Sequence, residues 1–201
     1  MATNKIRFVL SEKTEKYPEH LEKFSNPEYY SNLYAHGNGE SLWGIIRNNL
    51  SGHPASIKLF LDNFVKFYPA DENIKRDEIK RRFFMHNYKT HFKIADSIPN
   101  RSKILDIGAG IGCLKDILDR ENKKVDYYAH DISEEFLKLN NADESKKYCC
   151  DFSDLHKLIR GITFDYIVDC NATHGDYSDA LKKVSGKNYL FKDSLVQSNN
   201  I

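Results

Sequence analysis

A glycine-rich turn bounded by an acid is the part of the sequence with the clearest capacity for chemistry. It reads Asp106-Ile107-Gly108-Ala109-Gly110-Ile111-Gly112. Glycines let a backbone turn tightly and approach a ligand without an intervening Cβ. The dinucleotide fingerprint G-x-G-x-x-G would place its third glycine at residue 113, which is Cys113. Asp106 would also repel a pyrophosphate, whereas it could bind an ammonium group through ordered water, so the pattern disfavours a nicotinamide dinucleotide.

Further acids follow the apolar runs that come after this turn. Asp131 follows the run at 126–130, Asp151 follows the run at 147–150, and Asp169 ends the run at 164–169. The carboxyl ends of parallel strands meet at one edge of a sheet, so we expect these carboxylates to lie together. Two of them have a structural alternative, because Asp131 could be a helix-terminal acid near Ser133, and Asp151 could be a helix N-cap.

Strands and helices alternate through the second half of the chain. We predict strands at 103–107, 125–130, 147–150, 164–170 and 188–192, with helices at 113–120, 133–140, 153–159 and 177–184. Such alternation is typical of a doubly wound, mostly parallel α/β sheet. The first half carries all five prolines and repeated helix signals, and it looks all-helical. We therefore predict a helical cap or substrate lobe at 1–99 and a Rossmann-like domain at 100–201.

The segment Lys103 to Gly112 resembles the first motif of class I S-adenosylmethionine-dependent methyltransferases, in which an acid precedes alternating glycines. The resemblance covers roughly residues 100–192, about half of the chain. It implies a Rossmann-like fold, S-adenosyl-L-methionine as cofactor and S-adenosyl-L-homocysteine as product. It also implies that Asp106 holds the cofactor's amino group and that Asp131 accepts the ribose hydroxyls. The other implied cofactor contacts are Gly108, Ala109, Gly110 and Gly112 at the methionine and ribose, and Ile132, Asp151 and Phe152 at the adenine.

The acceptor side of the site is less specific. His174, in the loop after the fourth predicted strand, is the candidate general base because an imidazole can take a proton near neutral pH. We expect Asp169 to orient that loop or the sulfonium end of the cofactor. A metal-binding subset of the family would use Asp169 and Asp193, but Ser194 stands where its amide is expected, so no metal is predicted. By resemblance Tyr30 and Tyr34 would fold over the cofactor, although aromatic residues at helical spacing are more often core.

The end of the sequence departs from the family pattern. Only about ten residues follow the fifth predicted strand, so the sequence has no room for the family's last two strands. A shortened sheet would leave the fifth strand as an exposed edge, which proteins usually cover. We therefore expect either a partner chain at that edge, as in a homodimer, or a longer parent protein.

Composition narrows the class of function. The net charge of +1 gives little attraction to a polyanion, and no stretch approaches the length of a membrane span, so neither nucleic acid nor membrane is an expected partner. Four cysteines without metal spacing are typical of reduced thiols in the cytoplasm.

The predicted activity is methyl transfer to oxygen or nitrogen of a small polar metabolite, such as a sugar or an anionic compound. The alternative is a catalytically silent or truncated cofactor-binding or interaction module. Methylation of nucleic-acid bases is disfavoured because the Pro-Pro-aromatic signature is absent after the fourth strand, and aminopropyl transfer because its paired acids are not evident there.

Overall fold

A sheet of seven strands forms the centre of the fold in the computed structural model, which describes residues 7–8, 25–35, 54–67, 88–170, 178–191 and 194–197. The strands are β1 (Arg7–Phe8), β2 (Lys103–Ile107), β3 (Asp126–Asp131), β4 (Lys147–Cys149), β5 (Phe164–Asp169), β6 (Gly186–Phe191) and β7 (Ser194–Gln197). The helices are α1 (Pro27–Ala35), α2 (Pro54–Lys66), α3 (Tyr88–Ser97), α4 (Cys113–Arg120), α5 (Glu134–Leu139), α6 (Phe152–Leu158) and α7 (Ser178–Lys182).

The strand order is β1-β4-β3-β2-β5-β6-β7, with the first six strands parallel. The chain moves from β2 outward to β4 and then returns to the other side of β2 with β5. This reversal confirms the predicted doubly wound α/β fold and makes the carboxyl ends of β2 and β5 its switch point. Because Ile107 pairs with both His130 and Asp169, the ends of β3 and β5 lie level with the end of β2.

The edge beyond β6, which corresponds to the fifth predicted strand, is not open. β7 pairs antiparallel with β6, from Asn188 opposite Gln197 to Phe191 opposite Ser194. The prediction of an exposed edge at this strand is therefore wrong, since a four-residue strand needs less chain than a full hairpin. With the edge paired, the reason for expecting a homodimer or partner chain there is removed.

The first half of the chain contributes a strand as well as helices. β1 pairs parallel with β4, so the prediction of an all-helical first half is wrong at residues 7–8. Helix α3 packs against α4, and its Ile94 and Ala95, together with Ile98 just after the helix, join the apolar core that contains Ile104 of β2. The core of the sheet therefore includes residues on both sides of the predicted boundary near residue 100.

Helices α1 and α2 pack over the carboxyl edge of the sheet. Asn26 caps α1 by accepting the amide of Glu28 at 2.9 Å. One apolar cluster joins Phe60 and Phe64 of α2 to Phe136 of α5 and to Ile111 of the glycine turn. Burial of these rings holds the two helices beside the turn. Within the described ranges, no helix combines the length and the apolar character needed to cross a membrane.

Candidate functional site

The glycine turn has the backbone geometry that its sequence predicts. Gly108, Gly110 and Gly112 have φ angles of 64°, 52° and 85°, in the left-handed region where a Cβ is strained. The amide of Ala109 donates to the carbonyl of His130 at 2.8 Å, which fixes the turn to the end of β3. Gly112 then begins α4. The turn therefore lies at the switch point of the sheet, between strand and helix.

Asp131 holds the turn from the neighbouring strand. One carboxylate oxygen accepts the amide of Gly110 at 2.9 Å, and the other accepts the amide of Ser133 at 2.8 Å. Burial raises the pKa of Asp131 to about 6, although these two amides favour its ionised form. A carboxylate has about four acceptor positions, so acceptor capacity remains for a ligand beside the amides of Gly110, Ser133 and Ile132.

Asp106 lies on β2 beneath the turn, and its side chain is nearly inaccessible. It accepts a hydrogen bond from the hydroxyl of Tyr127 on β3. Burial raises the pKa of Asp106 to about 7, with the hydrogen bond from Tyr127 acting against this rise and the carboxylates of Asp169 and Asp131 contributing to it. Three acids from adjacent strands therefore share one poorly hydrated region, as the strand-end pattern predicts.

The adenine-side candidates lie at the ends of β3 and β4. Asp151 is the N-cap of α6 and accepts the amide of Ser153 at 2.7 Å, which confirms its structural alternative. This bond leaves one carboxylate oxygen of Asp151 without a recorded protein donor in the described residues. Phe152 is buried with its ring 5.8 Å from that of His130, and Ile132 is half-buried against the cluster around α2.

The strand order, with a glycine turn at the reversal between β2 and β5 and an antiparallel strand beside β6, defines the fold. The chain has a Rossmann-like, doubly wound α/β fold. In such a fold, the turn and the buried acids occupy the edge of the sheet at which ligands bind.

Comparisons with known proteins found similar solved structures at low identity. No known family model and no curated protein matches the sequence. A candidate S-adenosyl-L-methionine-dependent methyltransferase from Methanococcus maripaludis aligns over 65% of this chain and 62% of its own, with 18% identity and a TM-score of 0.44. The Haemonchus contortus phosphoethanolamine N-methyltransferase 2, in complex with phosphomonomethylethanolamine and S-adenosylhomocysteine, aligns over 65% of this chain and 35% of its own, with 14% identity and a TM-score of 0.42. A mutant of MtNAS in complex with S-adenosylmethionine aligns over 88% of this chain and 82% of its own, with 12% identity and a TM-score of 0.45. The chain thus spans less than two thirds of the length of the first two structures.

Two residues that the sequence analysis did not identify hold the glycine turn in place. The buried side chain of Asn140 donates to the carbonyl of Gly110 at 3.1 Å and accepts the amide of Ala142 at 2.9 Å. His130 is buried with its Nε2 3.0 Å from the carbonyl oxygen of Cys150, which ties β3 to the end of β4. Burial lowers the pKa of His130 to about 4, so its ring is neutral. A polar residue inside an apolar run was the available signal for His130, whereas nothing local marks Asn140.

The predicted lid tyrosines have different outcomes. Tyr30 is fully buried, its ring packs against Phe60 and Phe67, and its hydroxyl donates to the carbonyl of Phe60 at 3.2 Å. It therefore occupies the core position that helical spacing of aromatic residues favours. The side chain of Tyr34 lies outside what the structure describes.

The acceptor-side candidates are described only in part. Asp169 is buried at the end of β5, while His174 and Asp193 lie outside the described residues. Among the residues that are described, no group of three His, Cys, Asp or Glu side chains could hold a metal ion. A cavity of about 520 Å³ lies at the opposite edge of the sheet, near Gly161, Thr163 and Ser185. It faces away from the switch point and is not part of the candidate site.

Proposed function

We propose that this chain binds S-adenosyl-L-methionine and transfers its methyl group to an oxygen or nitrogen of a small polar metabolite. The observation that carries the proposal is the left-handed glycine turn at the switch point, bracketed by the buried carboxylates of Asp106 and Asp131. A turn alone would also suit other nucleotides. The carboxylates on both sides of it select the charge of the ligand.

The charge of the site suits a cation. In the described part of the chain, the recorded hydrogen-bond donors to Asp106 and Asp131 are a tyrosine hydroxyl and backbone amides. Buried carboxylates without a cationic partner are costly, and an ammonium or sulfonium group among them lowers that cost. S-adenosylmethionine carries both groups. The pyrophosphate of a dinucleotide would instead be repelled by Asp106, Asp131 and Asp169.

The proposed contacts follow the order of the strands. Asp106 holds the amino group, and the remaining acceptor capacity of Asp131 holds the ribose hydroxyls. Asp151, Ile132 and Phe152 surround the adenine at the ends of β3 and β4. When bound, the cofactor supplies an electrophilic methyl group. The residues of the chain must then mainly position the acceptor and exclude water.

On the acceptor side, we propose His174 as the base that takes the proton of an acceptor hydroxyl or amine, with Asp169 orienting the segment that carries it. The support is sequence position, since Asp169 ends β5 and the polar residues Asn171, Thr173 and His174 follow directly. A polar segment at this point favours a polar acceptor such as a sugar or an anionic metabolite.

Calorimetric titration with S-adenosylhomocysteine tests the cofactor assignment. We expect a micromolar-range Kd for the unmodified protein and a Kd about 10- to 100-fold higher for Asp106→Asn, because a charge-assisted hydrogen bond to the amino group is lost. Asp165→Asn is the matched control. Asp165 is also an aspartate on a central strand, but it bonds the amide of Lys103 and the ammonium of Lys187 away from the carboxyl edge.

The outcomes separate the candidate functions. Absence of heat with both S-adenosylmethionine and S-adenosylhomocysteine would overturn the cofactor assignment. Cofactor binding, together with methylation of a polar acceptor that is lost in His174→Ala, would support the full proposal. Binding without turnover across a broad panel of sugars, amines and phosphorylated metabolites would favour the silent binding module.

A further inference from the structure

A chain of hydrogen bonds links the helical cap to the glycine turn. Asp62 on α2 accepts the hydroxyl proton of Ser133 at 2.7 Å. The amide of Ser133 donates to one oxygen of Asp131 at 2.8 Å, and the other oxygen of Asp131 accepts the amide of Gly110 at 2.9 Å. A residue of α2 is thus joined, through one serine, to the carboxylate that holds the turn.

The serine in the middle of this chain has little freedom. Ser133 is fully buried, and its hydroxyl oxygen accepts the amide of Phe136 at 3.2 Å as the N-cap of α5. Because that oxygen is already an acceptor for the helix, its proton must point elsewhere, and Asp62 receives it. The second oxygen of Asp62 binds the ammonium of Lys58 at 2.6 Å, one turn earlier on α2. Both oxygens of Asp62 are therefore committed, which fixes the orientation of its carboxylate.

Removal of Asp62 would leave a fully buried hydroxyl proton without its acceptor. We expect this hydroxyl to form a hydrogen bond with another acceptor, because an unsatisfied buried donor costs free energy. The carboxylate of Asp131 already binds the amide of the same serine, so it is the neighbouring acceptor for that proton. A bond from the hydroxyl would use one of the positions that Asp131 otherwise offers to the ribose, and it would disturb the bond to Gly110.

We propose that Asp62 is a positioning residue for the cofactor site and that it acts through Ser133 on the carboxylate of Asp131. This inference rests on the proposed function for the identity of the ligand, but not for the hydrogen-bond chain itself. Residues of the cap thereby take part in cofactor binding without touching the cofactor. Docking of α2 and occupancy of the nucleoside position are consequently coupled.

Two variants of Asp62 separate its role as an acceptor from its charge. Asp62→Ala removes the acceptor, and we expect the Kd for S-adenosylhomocysteine to rise about tenfold. Asp62→Asn keeps a carbonyl oxygen for the serine proton, and we expect a Kd within about twofold of the unmodified protein. Ser133→Ala removes the hydroxyl proton that would otherwise turn to Asp131, so it should weaken binding less than Asp62→Ala, and the double variant should match Ser133→Ala rather than Asp62→Ala. Asp119→Ala, which removes an exposed helical aspartate paired with Lys115, is the control and should leave the Kd unchanged.

A second readout does not depend on the cofactor. In the ligand-free protein, exchange of the Gly110 amide hydrogen should be faster in Asp62→Ala than in the unmodified protein, and close to normal in Asp62→Asn. Unchanged exchange and unchanged Kd in Asp62→Ala would overturn the inference, as would equal weakening by Asp62→Asn and Asp62→Ala. If Asp62→Ala does not fold, Asp62→Leu, which also removes the acceptor but leaves less empty space, provides the same test. If the unmodified protein binds no S-adenosylhomocysteine, the proposed function fails while the exchange measurement still decides the role of Asp62.

Discussion

Replacement of Asp106 by asparagine should stabilise the ligand-free protein increasingly as the pH rises. Asp106 has a pKa of about 7 in the folded protein against 3.8 for the unperturbed group, mainly because it is buried. Between these two values the folded protein retains a proton that the unfolded chain has released. The free energy of unfolding must therefore fall as the pH rises from about 4 to about 7. Asparagine does not titrate, so this contribution disappears in the variant.

The size of the effect follows from the two pKa values. A difference of about three pK units corresponds to about 4 kcal/mol in total as an upper limit. Between pH 5 and pH 7.5, the variant should gain about 2 to 3 kcal/mol relative to the unmodified protein. The amide oxygen can still accept the hydroxyl of Tyr127, whereas the extra N–H groups need partners. That cost does not depend on pH, so it changes the free energy of unfolding of the variant equally at every pH and leaves the slope with pH unchanged.

Urea denaturation of the ligand-free proteins, followed by circular dichroism at several pH values from 5 to 8, measures this slope. Asp165→Asn is the control with the opposite sign, because the amide of Lys103 and the ammonium of Lys187 hold the pKa of Asp165 below its usual value. Its removal should destabilise the protein by an amount that is constant above about pH 5. A stability difference between Asp106→Asn and the unmodified protein that is flat, or that falls with rising pH, would refute the reasoning.

Three further predictions concern the turn and the thiols. Gly112→Ala should lower the free energy of unfolding by about 2 to 3 kcal/mol and Gly161→Ala by about 1 kcal/mol, measured by thermal unfolding. Both glycines have positive φ, but only at Gly112 would the new Cβ meet a neighbour, which is Asn140 at 2.9 Å. Equal costs would show that the contact with Asn140 relaxes. Asn140→Ala should lower the free energy of unfolding by about 1 to 3 kcal/mol, measured in urea, because two buried backbone groups lose their partners; a change below 0.5 kcal/mol (about the scatter of surface substitutions) would contradict this. All four cysteines are buried, and burial raises the pKa of Cys149 to about 12. Iodoacetamide at pH 8 should therefore label the cysteines only after denaturation. Rapid labelling of the native protein would show that the thiols are not buried.

The long strands and helices of the second half could be predicted because their signals are local. Strand β2 and helix α4 have the predicted bounds, and the strand ends that carry Asp106, Asp131 and Asp169 are in their predicted order. The two edge strands could not be predicted in the same way. Two residues of β1 and four of β7 are too few to show a period, and their partners lie far away along the chain.

The candidate site shows the same division between local and distant information. The turn and its flanking acid form one continuous motif, so the sequence predicts them together. The supports of the turn come from elsewhere, since Asn140 lies 30 residues from Gly110 and Asp62 lies 71 residues from Ser133. A polar residue on a helix has many possible partners, and only tertiary packing selects one. Tyr30 illustrates the reverse case: the resemblance implied a position over the cofactor, whereas its helical spacing indicated the core position that it occupies.

The two outermost strands come from opposite ends of the chain, with β1 formed by residues 7–8 and β7 by residues 194–197. Each protects a longer parallel strand whose unpaired backbone would otherwise be available to another molecule. Removal of residues from either end would therefore expose an unpaired strand edge before it removed any residue of the candidate site. A low yield of soluble shortened protein would then indicate self-association through the exposed strand edge rather than loss of the candidate site.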